Sequence, residues 1–132
     1  MMDDTGAAEV ALARWLDALN SPHDGDLIAA AVSEQVIIWR HGNFQQRGEI
    51  VEHFEGLQQA TTWFARCPAD VGFELSQRTA RLPDGAWQAR YAVLAEDFRG
   101  GGMWRFRLDD EGKIGWLEHV PDELDPRYIV VD

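Results

Sequence analysis

Two groups able to act on an oxygen or a proton, Arg40 and His41, stand side by side at the end of the apolar run "VIIW" at 36–39. A guanidinium keeps its charge at any ordinary pH and donates in a planar fork, so Arg40 could polarise a carbonyl or hold a carboxylate or enolate. An imidazole titrates near neutrality, which suits His41 to proton transfer. His119, which follows Glu118 in "WLEHV", has the same competence. His53 flanks an apolar stripe and His23 lies in a turn, so both are expected to be structural or solvent-facing. Trp15, Trp39, Tyr91, Trp104, Phe106 and Leu117 could line a cavity and stack on a flat ligand; they could equally fill a solid core.

Other chemistries are disfavoured. Cys67, the single cysteine, sits in "FARCPAD" with no motif around it and reads as a small apolar residue rather than a reactive thiol. No spacing resembles a structural zinc site, and strand neighbours such as Glu118 and His119 point to opposite faces, so neither a metal nor any other cofactor is expected. "RGGG" at 99–102 precedes a strand rather than a helix, which makes it an expected hairpin turn and not a phosphate loop. Twelve Lys and Arg stand against 23 Asp and Glu, and the resulting charge of −11 repels phosphate backbones and anionic membrane surfaces alike. The apolar runs fall far short of the roughly 20 residues that span a bilayer. With one cysteine no intramolecular disulfide can form, and "MMDDTG" lacks the basic-then-apolar order of a secretory signal, so the expected location is cytoplasmic.

The elements that must position these groups follow from periodicity. Leu12, Trp15, Leu16 and Leu19 recur at helical spacing and predict an amphipathic first helix that stops near "NSPHDGD". Asp24 or Asp26 then caps a shorter helix through "LIAAAV", and the β-branched and aromatic run at 36–39 predicts a strand. A third helix is expected from Gly48, with Ile50, Phe54 and Leu57 on one face and Glu49, Glu52 and Glu55 on the wet side. From 71 onward the pattern becomes that of strands: "GFELSQRTARL", "AWQARYAVLAEDF", "MWRFRL" and "KIGWLEHV", separated by "PDG", the glycines at 100–102 and "DDEG". Helices first and an antiparallel meander afterwards make one α+β domain over 1–132, with its core at about 8–121 and a tail at 122–132. Arg105 and Arg107 alternate with Trp104, Phe106 and Leu108 and are expected on the outer face, paired with Glu74, Glu96 or Glu118.

"RWLDALN" followed by "DGDLIAAAV", then "VIIW" with "RGEIVEHF", then "FRLDDEGKIGWLEHV" give an order that resembles the SnoaL-like domains of the nuclear-transport-factor-2-like superfamily, which includes the ketosteroid isomerases. The resemblance extends from about Glu9 to Pro121. It implies a cone of order α-α-β-α-β-β-β-β in which a curved sheet wraps the helices, often around a pocket, and many such proteins dimerise through the outer sheet face. Ketosteroid isomerase chemistry needs a carboxylate base, a Tyr and a neutral Asp. Position by position the resemblance puts Arg40 where the base stands, Trp15 where the Tyr stands and Trp104 where the Asp stands, and none of these can do the original job.

The family register turns Val36, Ile38 and Arg40 inward; the opposite register, with Ile37, Trp39 and His41 inward, is equally apolar, and period two alone does not choose between them. On the last strand the resemblance turns Leu117 and His119 inward, while the face of Ile114, Trp116 and Val120 is the greasier one; if that face is the core, His119 is merely exposed. The expected protein is therefore a binder of a small apolar or aromatic molecule, anionic ones included, at an aromatic pocket with cationic or imidazole groups. If catalytic, it would be an isomerase, cyclase or lyase in which Arg40 polarises a carbonyl and His41 or His119 moves a proton. The alternative is a non-catalytic accessory domain with a filled core. A homodimer is expected through the outer face around Leu94 and Trp116, with the tail "YIVVD" adding to the contact.

Overall fold

The computed structural model describes residues 4–41, 50–66, 72–94 and 99–121. Helix α1 (Asp4–Asn20) buries Ala8, Ala11, Leu12, Trp15, Ala18 and Leu19, the stripe its spacing predicts. Its last residue is fastened to the sheet: the Asn20 side chain accepts from the Phe73 backbone N–H at 2.7 Å and donates to the Phe73 carbonyl at 3.1 Å. Helix α2 (Gly25–Ala31) begins where Asp24 caps it, its Oδ1 accepting from the backbone N–H groups of Asp26 and Leu27. The chain then enters β1 (Val32–His41).

The third helix starts later than expected. Ile50 to Glu55 form a strand, β2, which pairs antiparallel with β1, and helix α3 occupies Gly56–Ala65. The spacing of Ile50 and Phe54 fits both a helix turn and alternation along a strand, so over so short a run periodicity misleads. Gly56 marks the boundary, with a φ of +88° that no L side chain adopts comfortably. The proposed helix start at Gly48 and Glu49 lies outside the described residues, as do Cys67, Glu96 and the tail.

Strands β3 (Gly72–Leu75), β4 (Ala80–Arg81), β5 (Trp87–Leu94), β6 (Arg99–Leu108) and β7 (Ile114–Pro121) complete a sheet of order β2-β1-β7-β6-β5-β3, with β4 also paired to β5. The pairs β3–β5, β5–β6 and β6–β7 are antiparallel, as the meander requires, while β7 returns beside β1 in parallel. The fold is thus α+β, three helices against a curved mixed sheet. Two expectations change in detail. The strand predicted at 72–82 is broken into β3 and β4, and Gly100, Gly101 and Gly102 lie inside β6, opposite Val93, Ala92 and Tyr91, rather than in the turn. Gly102 therefore puts no side chain between Tyr91 and β7.

Val36, Ile38, Leu117, Trp104 and Phe106 are each at most 1% exposed and pack under the helices, which fixes the concave face of the sheet. By alternation, Ile37, Trp39, Arg105, Arg107, Trp116 and Glu118 belong to the convex face.

Candidate functional site

The register that buries Val36 and Ile38 carries Arg40 to the same concave side, one pair further along β1. Two neighbours meet it there: Arg40 lies opposite Glu52 in β2 and opposite His119 in β7, which in turn lies opposite Trp104 in β6. A row Glu52–Arg40–His119–Trp104 thus crosses four strands.

The row is wired by two hydrogen-bonded pairs. Arg40 donates from Nε to Glu52 Oε1 in a short contact, and the other carboxylate oxygen, Oε2, receives Arg66 Nη2 at 3.4 Å from the end of α3. A part-buried Arg40 calls for an anion, and Glu52 supplies it. Only Nε of Arg40 is engaged, so its terminal N–H groups meet no acceptor among the described residues. Beside it, Nε2 of His119 shares a short hydrogen bond with the Tyr91 hydroxyl, while Nδ1 is closed to solvent and has no partner among the described residues. His119 is held neutral, its pKa lowered from 6.5 to about 3, first by burial and then by the positive charges of Arg40 and His41. That shift also changes its competence. An imidazole of such low basicity takes up little proton near pH 7, so His119 serves better as a neutral N–H donor than as a base.

The aromatic residues expected to line a cavity are packed together. Tyr91 stacks on Trp104 with ring centroids 4.3 Å apart, Trp15 meets Trp104 edge-on at 6.0 Å, and Trp15 also contacts Trp63 and Phe64. Trp15 and Trp104 are 1% exposed, Phe106 and Leu117 0%, so these four belong to the core. Trp15 Nε1 is buried there without an acceptor among the described residues.

His41 and Trp39 do not join this group. Strand alternation sends them to the convex face, where His41 Nε2 pairs with Glu118 Oε2 at 2.6 Å and Trp39 meets Trp116 and His53 edge-on. The structure thus brings together Arg40, His119, Tyr91 and Trp104 and separates from them the imidazole adjacent in sequence. Glu52 and Arg66 were missed by sequence reasoning; the β-branched pair Ile50 and Val51 ahead of Glu52 was the one signal that this acid belongs to a strand beside β1. Among the described residues no cluster of His, Cys, Asp or Glu could hold a metal ion, and no helix is long and apolar enough to cross a membrane.

No family model matches the sequence, and no curated protein matches it either. Solved structures do. A candidate ketosteroid isomerase of Kribbella flavida superposes with a TM-score of 0.71 at 17% identity, covering 100% of this chain and 94% of that one. A candidate isomerase of the SnoaL-like family from Agrobacterium tumefaciens gives 0.67 at 16% identity, covering 89% and 98%. An epoxide hydrolase of Mycobacterium tuberculosis, of the LEH-like type, gives 0.61 at 24% identity, covering 91% and 86%. With its helices on the concave side of a curved mixed sheet, this chain has the nuclear-transport-factor-2-like fold of the SnoaL-like and ketosteroid-isomerase-like proteins.

Proposed function

We propose that the protein binds a small uncharged carbonyl compound at the polar end of its concave face, with the oxygen accepting from Arg40 and from His119. The observation that carries this reading is the adjacency of the Arg40–Glu52 and Tyr91–His119 pairs, each of which leaves a polar group facing no acceptor. When the Tyr91 hydroxyl donates to Nε2, Nδ1 of His119 bears the proton and is a buried donor in want of an oxygen. Two such donors stabilise negative charge as it develops on a carbonyl oxygen, the requirement shared by isomerase and lyase reactions of carbonyl compounds. The likeness in fold to proteins described as isomerases and to an LEH-like epoxide hydrolase is compatible with a small-molecule site on this scaffold. Because Glu52 already compensates Arg40, a carboxylate is less suitable than an uncharged ketone or enone.

Melting curves of the wild type and Arg40→Met, taken with matched panels of cyclic ketones, enones and carboxylic acids, test this. Arg40→Met should stay within about 1 kcal/mol of the wild type when empty, since Glu52 keeps Arg66. It should bind the ketones about 2 kcal/mol more weakly, as loss of a charge-assisted hydrogen bond implies. Equal shifts in the two proteins would place Arg40 outside the site. The packed aromatic interior favours a second reading, an accessory domain with a filled core and no ligand; absence of a shift with every compound would select it.

The convex face is the part we assign to a second copy of the chain. Trp39 and Trp116 are only half-buried there, and Leu94, on the same side of β5, is 49% exposed. Light scattering at micromolar concentration should return twice the 14.9 kDa chain mass, and a monomer mass would overturn the assignment.

A further inference from the structure

We propose that Arg105, at the middle of the convex face, anchors the contact between two copies by taking a carboxylate of the second copy. This rests on the pairing of that face assigned above. Arg105 lies in β6 between Gln88 of β5 and Glu118 of β7, in the interior of the sheet order rather than at an edge. Glu118 is its direct cross-strand neighbour and the obvious counter-ion, yet Glu118 is taken by His41 at 2.6 Å.

Other cations of this face are matched within the chain. Arg107 Nη2 holds Asp84 Oδ2 at 3.1 Å and its guanidinium lies over the Trp116 ring, while His53 pairs with Glu55 at 3.2 Å. Arg105 is the exception. Among the described residues its guanidinium meets no acceptor, and its Nε is shut off from solvent without a hydrogen bond. A shielded donor without an acceptor is costly, and a guanidinium fork is shaped to receive a carboxylate.

Arg105 helps to wall a groove of about 280 Å³ with Leu82, Pro83, Gln88 and Trp116 and with the acids Asp84 and Glu118, which Arg107 and His41 already hold. The second copy is the natural source of the carboxylate. Asp and Glu outnumber Lys and Arg by 23 to 12, so two copies repel at a distance, and a cation within their contact that meets an acid of the other copy offsets that repulsion. In a two-fold arrangement the pair forms twice, once from each side. A central, water-excluded arginine is also the position where binding energy concentrates in protein interfaces.

Sedimentation equilibrium of the wild type, Arg105→Met and Arg105→Lys, with far-UV circular dichroism to confirm an unchanged fold, tests the proposal. The wild type should dimerise. Arg105→Met should dissociate about thirtyfold more readily or worse, the usual effect of removing one partner of a desolvated pair. Arg105→Lys, which keeps the charge and loses the fork, should fall between the two. Arg81→Met, on the concave side over Trp87, should match the wild type. A wild-type dimer with unchanged affinity in Arg105→Met and Arg105→Lys would overturn the anchor and leave the face assignment standing; a monomeric wild type would overturn both.

Discussion

Replacing His119 with phenylalanine should flatten the acid side of the protein's stability curve, so that the variant is less stable than the wild type at pH 7 and more stable at pH 4. The folded protein holds His119 at a pKa of about 3, against 6.5 ordinarily. Between those values the unfolded chain binds a proton that the folded chain refuses. Stability from this residue is therefore complete above about pH 6.5, declines as the pH falls, and levels off once the folded form also protonates near pH 3. Three and a half units correspond to a ceiling of about 5 kcal/mol, and the residual exposure of the residue brings the figure down. At pH 7 the variant loses the hydrogen bond between His119 and Tyr91, a penalty of about 0.5–1.5 kcal/mol. Carboxylates titrate over the same range in both proteins and cancel in the difference. Urea denaturation at pH 7, 5.5 and 4 measures it. Parallel curves would mean that His119 is solvated and titrates normally, and the neutral donor at the centre of the proposed site would be lost with it.

Trp104→Ala should be among the most damaging single substitutions, costing about 3–5 kcal/mol, as large-to-small changes of buried aromatics do. Trp104 is 1% exposed and stands at the junction of the two halves of the interior: Trp15 of α1 on one side, Tyr91 and His119 on the other. Its removal opens a cavity and also takes away the plate on which Tyr91 stacks, so the Tyr91–His119 pair loosens. Two readouts should move together. The midpoint in urea should fall steeply, and the His119 ring protons, followed by NMR, should titrate above pH 5 as water reaches the ring. Trp39→Ala is the contrast, since Trp39 is half-buried on the convex face; it should cost much less and leave the His119 titration unchanged. If Trp104→Ala costs under about 1 kcal/mol, the interior is not packed as a solid core, and the accessory-domain reading loses its support.

The balance between the two readings turns on where packing ends. Around Trp15 the interior is filled by Trp63, Phe64 and Trp104. Around Arg40 it is polar, and Arg40 and Glu52 keep side-chain exposures of 28% and 27%. The proposed site therefore lies at the charged end of the concave face rather than among the aromatics. The pocket expected from residue types had aromatic walls, with Arg40 and an imidazole as its polar groups.

Much of the scaffold was legible in the order of residues. Apolar recurrence at helical spacing defined α1, the acid ahead of "LIAAAV" defined the start of α2, and alternation defined the strands that follow residue 86, because these patterns are local consequences of backbone geometry. Where a pattern fits two geometries the sequence was silent or misleading. Ile50 and Phe54 suited a helix as well as a strand, and only the pairing of β2 with the edge of β1 resolved them, which is how Glu52 came to face Arg40. The sequence determined that a permanent cation ends an apolar strand and that two imidazoles were within reach. Only the tertiary structure decided which of them shares its side. His41 is adjacent in the chain and lies on the opposite face, because successive strand residues alternate; His119 is 79 positions away and faces the same way, because β7 runs parallel to β1 in a register that sets it opposite Arg40. Burial there, a property of the assembled sheet and helices and of no residue by itself, keeps His119 neutral and sets its chemistry.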